Sequence, residues 1–390
     1  MVFRSIFQQH FLLIRSKRLL SGGFDEILTK NISGKLIVTL NRPRTLNALN
    51  ISMVRKLYPM LKKCDSDSSV PFIFVKGTGG KAFCAGGDIV AVSRSAQAND
   101  PSNTVHKDFF REEYVMNYLI GVLKVPYIAV MDGITMGGIF INLEGCGLSI
   151  HGKYRIATER TMLTMPETSI GFFPDVGGTF FLSRLPYNLG QFMALTGYRL
   201  IGADAYHMGL ATHFVPSEKL KNLEDELLRT DNKLLSAEKI DYILNKYHMK
   251  ESEIPKFGLE KRLAQINYLF SGSTVESVFK KLRNNNDDFG NKLFNILSTK
   301  SPTSLKVTFR QLQIGLRMQF PEVFTMEYRL SQRFMKSHDF HEGCRAILIN
   351  KDQKPVWKPA SIEEVTDEMM DEYFAPLHED EELIIKEFET

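Results

Sequence analysis

Acid is missing from the start of this 390-residue chain: Asp25 is the first carboxylate, and Arg4, Arg15, Lys17 and Arg18 all precede it. Without those four cations, 45 basic residues face 45 acidic ones, so the whole net charge of +4 belongs to the leader. A neutral body excludes the broad basic face of a nucleic-acid binder. A basic, acid-free leader with serines and scattered large apolar residues reads as a mitochondrial transit segment over residues 1–24. Its apolar stretch "FLLI" is too short for a secretory signal. Long hydrophobic runs are also absent. None approaches the ~18 residues of a bilayer-spanning helix, so no membrane segment is expected. Cysteine is sparse: Cys64, Cys84, Cys146 and Cys344 form no CxxC pair, which excludes a zinc knuckle and leaves reduced, packed thiols.

What is present is an alternation. The segments "KLIVTL" (Lys35 to Leu40), "PFIFVKG" (Pro71 to Gly77), "PYIAVMDG" (Pro126 to Gly133) and "YRIATE" (Tyr154 to Glu159) read as buried strands. Between them, Leu49, Val54, Leu57 and Leu61 share one helical face behind Asn47 as the expected cap. A second helix is expected between Asp108 and Lys124. This is the pattern of an α/β fold with a buried sheet. After Pro216 strands vanish and lysine- and glutamate-rich helical stretches take over to Phe340, with "NNNDDFGN" (Asn284 to Asn291) read as a loop. The lone Trp357 is expected to pack back on the body.

"MPETSIGFFPDVGG" (Met165 to Gly178) puts Glu167 and Asp175 into an apolar, bent segment. They are either solvated acids on a surface turn or two carboxylates held in a pocket to act on a substrate. "GTGGKAFCAGGD" (Gly77 to Asp88) superficially matches a dinucleotide fingerprint. It lacks a helix opening inside the glycines and a following strand with its acid, so that reading fails. It remains a glycine turn whose backbone N–H groups can face a ligand. "DGITMGG" (Asp132 to Gly138) is a second such turn, and two N–H groups from two turns can form an oxyanion hole. "SHDFHEG" (Ser337 to Gly343) lacks further ligands at a telling spacing and reads as solvated polar residues, not as a metal site. No GxSxG anchors a serine triad.

Taken in order, "NRPRTLNALN", "KAFCAGGD", "GITMGG", "MPETSIGFFPDVGG" and "LTGYRLIGADAYHMGLATHFV" resemble the enoyl-CoA hydratase/isomerase (crotonase) superfamily, over about Lys35 to Pro359. "FFREEY" and "DFHEGCRAILINKDQKPVWKP" resemble its thioester-hydrolysing branch, whose substrate is 3-hydroxyisobutyryl-CoA. The resemblance implies a crotonase-type ββα spiral core over residues 25–216 that binds acyl-CoA. A mainly helical region over 217–390 then packs on it. It implies backbone amides of Gly87 and Gly138 as the oxyanion hole, Glu167 as catalytic carboxylate with Asp175 as its partner, and Glu113 as a substrate contact. It further implies a step of valine breakdown in the mitochondrial matrix, with coenzyme A as part of the substrate and no separate cofactor. A homo-oligomer is compatible with it.

One feature departs from the family. Where its pattern continues "GGGCGLS", this chain reads "GGIFINLEGCGLS", so Ile139 to Glu144 form six extra residues: a surface loop, a splice form or a gene-model error. Six residues at about 100° each put a following helix out of phase. Two alternatives follow. A hydratase or isomerase would use a first glutamate just after "GGGC", but Gly147 stands there once the extra residues are set aside. An inactive acyl-CoA binder would follow if they spoil the oxyanion hole.

Overall fold

The computed structural model describes residues 25–98, 100, 102–136, 145–285 and 287–385. The leader, Gly138 and the segment 139–144 therefore lie outside the described residues. Two sheets organise the first half. The larger has six strands in the order β1 (Ile27–Ile32), β2 (Lys35–Leu40), β3 (Ile73–Gly77), β5 (Tyr127–Met131), β7 (Tyr154–Ala157) and β10 (His213–Phe214). Only β1 runs antiparallel to its neighbour; the other pairs are parallel. The smaller has four strands: β4 (Ala82–Cys84), β6 (Ile134–Met136) and β8 (Met162–Thr164) in parallel, with β9 (Leu200–Ile201) antiparallel to β8.

The strands come in pairs along the chain, one in each sheet: β3 then β4, β5 then β6, β7 then β8. Helix α1 (Ile51–Asp65) connects β2 to β3, and after the first pair come α2 (Ile89–Gln97) and α3 (Val105–Val122). Repeating this unit winds a spiral. Because β4, β6 and β8 are adjacent and parallel, their C-terminal ends share one edge of the small sheet, about 4.8 Å apart from strand to strand. That edge is where the candidate residues follow.

Both faces of the large sheet are covered, which is why its strands read as continuous apolar runs. Leu36, Val38 and Leu40 of β2 face the main core, while Ile37 turns to a second cluster with Phe74, Ile128 and Ile156. That second face is closed by Leu223 and Leu227 of α7 (Leu220–Arg229) and by Ile240, Ile243 and Leu244 of α8 (Ala237–Tyr247). Ahead of these two helices in the chain come α4 (Gly178–Ser183), α5 (Leu189–Thr196) and α6 (Asp204–His207), whose Leu182, Phe192 and Ala205 belong to the main core. Beyond them the chain is helical through α9 (Leu263–Phe270), α10 (Val275–Asn284), α11 (Asp288–Leu297), α12 (Pro302–Gly315), α13 (Phe320–Phe334), α14 (His338–Gly343) and α15 (Asp367–Phe374). The Trp357 indole donates to the Thr299 carbonyl at 3.0 Å, so the tail does return to the body.

Three local expectations need correction. The cap of α1 is Asn50, whose Oδ1 accepts from Met53 N at 2.9 Å. Asn47 is instead a staple: its Nδ2 donates to the Thr78 and Ala82 carbonyls, and its φ of +61° is left-handed. The chain between them must stay extended, because Leu49 bridges to Gly87. The loop expected over Asn284–Asn291 is far shorter, since α10 runs to Asn284 and Asp287 caps α11 by accepting from Gly290 N. The acids of "SHDFHEG" are not all solvated. Asp339 is 2% exposed and accepts from the Ser301 hydroxyl at 2.6 Å and from Lys358 N at 2.7 Å.

Candidate active site

The shared edge of the small sheet delivers the site. Gly87 comes three residues after β4 ends at Cys84, and Glu167 three residues after β8 ends at Thr164. Between them, β6 ends at Met136, two residues before Gly138. Gly87 is buried, bridges Leu49 in parallel, and directly precedes Asp88, the cap of α2. The structure thus brings Gly87 and Glu167 to one edge, while Gly138 lies outside the described residues.

Glu167 opens a single turn of 3-10 helix, Glu167–Ile170, ended by Gly171 in the left-handed conformation. A side chain at Gly171 would strike the Asp339 carbonyl oxygen at 2.2 Å, so glycine lets the turn lie directly on α14. Thr168 is tied to Leu195 and Ser301, and Ser169 accepts from Lys300 Nζ. Within this fixed turn the Glu167 side chain is wholly buried, and neither carboxylate oxygen bonds to another residue among those described. Burial holds its pKa well above the usual carboxylate range, and the nearby Asp175 and Glu327 charges add to the effect.

Asp175 is 1% exposed, so the surface-turn reading of this segment is excluded. Its Oδ2 accepts from the Tyr114 hydroxyl at 2.8 Å, whereas Oδ1 has no partner among the described residues. Burial raises its pKa to about 7, opposed by the Tyr114 bond. The loop around it is held at nearly every polar group. Gln311 of α12 donates to the Pro174 carbonyl and the Thr179 hydroxyl, both at 2.6 Å. His151 sits 2.7 Å from the Val176 carbonyl; burial lowers its pKa to about 4, so the ring is neutral and Nε2–H donates. Glu327 of α13 accepts from Gly177 N at 2.7 Å and from Thr179 N at 2.9 Å, capping α4. Its own pKa is raised to about 8 by burial.

Glu113 is wholly buried on α3 beside Tyr114, and its charge reaches both Cys84 and Tyr114. The same helix carries Asn117, one turn on. Sequence reasoning passed over Tyr114, Asn117, His151, Gln311 and Glu327. The available signal was a polar residue standing where the helical period calls for an apolar one, as with Glu327 between Phe324 and Leu330. No group of three or more His, Cys, Asp or Glu side chains among the described residues is placed to hold a metal ion.

Two buried carboxyls, one without a bonding partner among the described residues and one titrating near neutrality, can exchange protons with a reacting group and attack or activate water. Comparison with known proteins places the chain in a family. The family model for enoyl-CoA hydratase/isomerase matches residues 35–374. The chain belongs to that family. It is 51% identical over 343 residues to a Xenopus laevis protein named mitochondrial 3-hydroxyisobutyryl-CoA hydrolase, covering 87% of this chain and 86% of the relative. With the human protein of the same name it shares 49% identity over 356 residues, covering 90% and 89%. Among solved structures, a carnitinyl-CoA dehydratase from Mycobacterium thermoresistibile superposes with a TM-score of 0.82 at 35% identity, covering 92% of this chain and 98% of that one. An enoyl-CoA hydratase from Rhodobacter sphaeroides gives 0.81 at 31%, covering 93% and 100%. The expected crotonase-type architecture with its helical C-terminal region is therefore correct.

Family membership leaves a choice among reactions, and Gly147 bears on it. A Cβ there would lie 2.8 Å from Asn117 Nδ2 and 2.9 Å from Val176 Cβ. With Ile139–Glu144 set aside, this is the position of a hydratase's first glutamate, and a side chain here requires Asn117 and Val176 to shift.

Proposed function

We propose that this chain hydrolyses 3-hydroxyisobutyryl-CoA to 3-hydroxyisobutyrate and coenzyme A, in the mitochondrial matrix and as a step of valine breakdown. The relatives' names support the substrate and the mitochondrial setting. The observation that carries the chemistry is Glu167, a wholly buried carboxyl with no bonding partner among the described residues, at the strand edge that also delivers Gly87.

In this reading the thioester carbonyl oxygen lies against the backbone amides of Gly87 and Gly138. As the carbonyl carbon becomes tetrahedral, negative charge builds on that oxygen, and each such donor is worth about 3 kcal/mol of barrier. Glu167 takes a proton from the attacking water, or attacks the carbon itself to form an acyl anhydride that water then hydrolyses to free the acid and Glu167. On either route the C–S bond breaks and coenzyme A leaves as the thiol once its sulfur is protonated. Asp175 binds the 3-hydroxyl, and Glu113 contacts the substrate. Arg42 is occupied with Glu26, Asp88 and the Ala48 carbonyl. The exposed Arg44, beside a surface cavity of about 450 Å³, is the basic group offered to the nucleotide phosphates.

The test is thiol release from 3-hydroxyisobutyryl-CoA, run beside water addition to crotonyl-CoA, for this chain and for one lacking Ile139–Glu144. Thiol release by either chain with no crotonyl-CoA hydration supports the hydrolase. Release only by the shortened chain means that this form is inactive. Hydration of crotonyl-CoA without thiol release overturns the reading.

A further inference from the structure

A buried amide near the two acids has no part in that chemistry. Asn117 lies on the inner face of α3, 0% exposed, and neither its Oδ1 nor its Nδ2 has a partner among the described residues. An amide shut away from water without partners is costly, and folded proteins seldom keep one. Asparagine is also a poor helix former, so helix propensity does not explain its presence. Leucine would fill the same space at no such cost.

Its position narrows what the amide can meet. One turn earlier on the same face, Tyr114 reaches Asp175 Oδ2 at 2.8 Å. On its other side the amide abuts the glycine at 147, which itself abuts Val176, the residue after Asp175. Asn117 therefore lies on the side of α3 turned to the Asp175 loop, and the acid's second oxygen, Oδ1, also lacks a partner among the described residues. A hydroxyl carries one donor and two acceptor lone pairs. Placed between these groups, it donates to Asp175 Oδ1 and accepts from Asn117 Nδ2–H, giving each side chain a partner.

Resting on the hydrolase reading, we infer that Asn117 is a specificity-determining residue: with Asp175 it brackets the 3-hydroxyl of the acyl group. Asp175 alone offers only acceptors when ionised, and would bind a hydroxyl without fixing its direction. The amide supplies the missing donor and orients the acyl chain, so that the carbonyl carbon faces Glu167. A site built in this way rejects the analogue that lacks the hydroxyl, because its buried polar groups are then left unpaired.

The experiment compares 3-hydroxyisobutyryl-CoA with isobutyryl-CoA, which has the same carbon skeleton and no hydroxyl. Asn117→Leu is predicted to lower kcat/KM for the hydroxylated ester by about 10- to 100-fold and to leave that for isobutyryl-CoA unchanged within about threefold. The variant's melting temperature should equal or exceed that of the wild type, a result a merely structural asparagine would not give. Asn117→Ala, which adds no bulk, serves the same comparison should leucine disturb folding. Equal losses on both esters, or unchanged selectivity, would overturn the proposal. Dissociation constants for the two esters, measured by calorimetry on Glu167→Gln and on Glu167→Gln combined with Asn117→Leu, repeat the comparison without turnover. If neither the wild type nor the chain lacking Ile139–Glu144 releases thiol from either ester, the hydrolase reading fails. The calorimetric ratio then still decides whether Asn117 reads the hydroxyl.

Discussion

Glu327→Gln should weaken the protein at low pH and much less at high pH. Glu327 is wholly buried, and each of its oxygens takes one backbone N–H from the loop behind Asp175. Glutamine keeps one acceptor and turns its NH2 toward the other N–H, so one buried donor loses its partner, at about 1–3 kcal/mol. Against that stands the cost of ionising Glu327 in place. Burial lifts its pKa from an ordinary 4.5 to about 8. A carboxyl whose folded pKa is raised holds its proton more tightly in the folded state. Its contribution to stability is full below about pH 4.5 and is lost as pH rises through about 8. At about 1.4 kcal/mol per pH unit the loss is of the order of 5 kcal/mol, and glutamine cannot suffer it. Asp175, raised to about 7, adds a loss of the same sign that the substitution leaves in place. Chemical denaturation of both proteins from pH 5 to 9 is the assay. The wild type should lose stability across this range. The variant should begin weaker, change less, and draw level with or pass the wild type near pH 9. A difference between the two that does not vary with pH would refute the assignment of a protonated, buried Glu327.

Further outcomes follow from the same geometry. If Asp175 must be ionised to hold the hydroxyl, kcat/KM rises through about pH 7. Tyr114→Phe removes the bond that opposes its raised pKa and should move that rise to higher pH, which a pH–rate profile reads. Gly147→Glu should not create a hydratase. Its side chain collides with Asn117 and Val176, so crotonyl-CoA hydration stays at background while the melting temperature falls. Asp339→Ala frees a buried serine hydroxyl and a backbone amide under the Glu167 turn, at about 2–4 kcal/mol, which denaturant titration measures.

The long elements were legible in the sequence because their periods are strong. "KLIVTL" is β2 to the residue, and Val54, Leu57 and Leu61 do line the buried face of α1. The short strands were not. β4, β6 and β8 have three residues each and β9 and β10 two, too few for any alternation to register, yet three of them form the edge that assembles the site. Glu167 and Asp175 stood out because acids in an apolar, glycine-rich segment demand an explanation, and their burial supplies it. The groups that fix them come from α3, α12 and α13, up to 150 residues away in the chain. Nothing local marks Gln311 or Glu327 as partners of one loop. The same holds for Asp339, whose partners Ser301 and Lys358 meet it only through the packing of α14 on the Glu167 turn.

The central claim is that the Glu167 carboxyl acts on the thioester, and Glu167→Gln tests it most directly. The substitution keeps the side chain's size and removes a buried acid, so the variant should fold at least as stably and still bind the acyl-CoA ester. Thiol release from 3-hydroxyisobutyryl-CoA should fall by at least about 100-fold. Release within a few-fold of the wild type, from a folded variant that binds the ester, would contradict the claim and move the chemistry to another group.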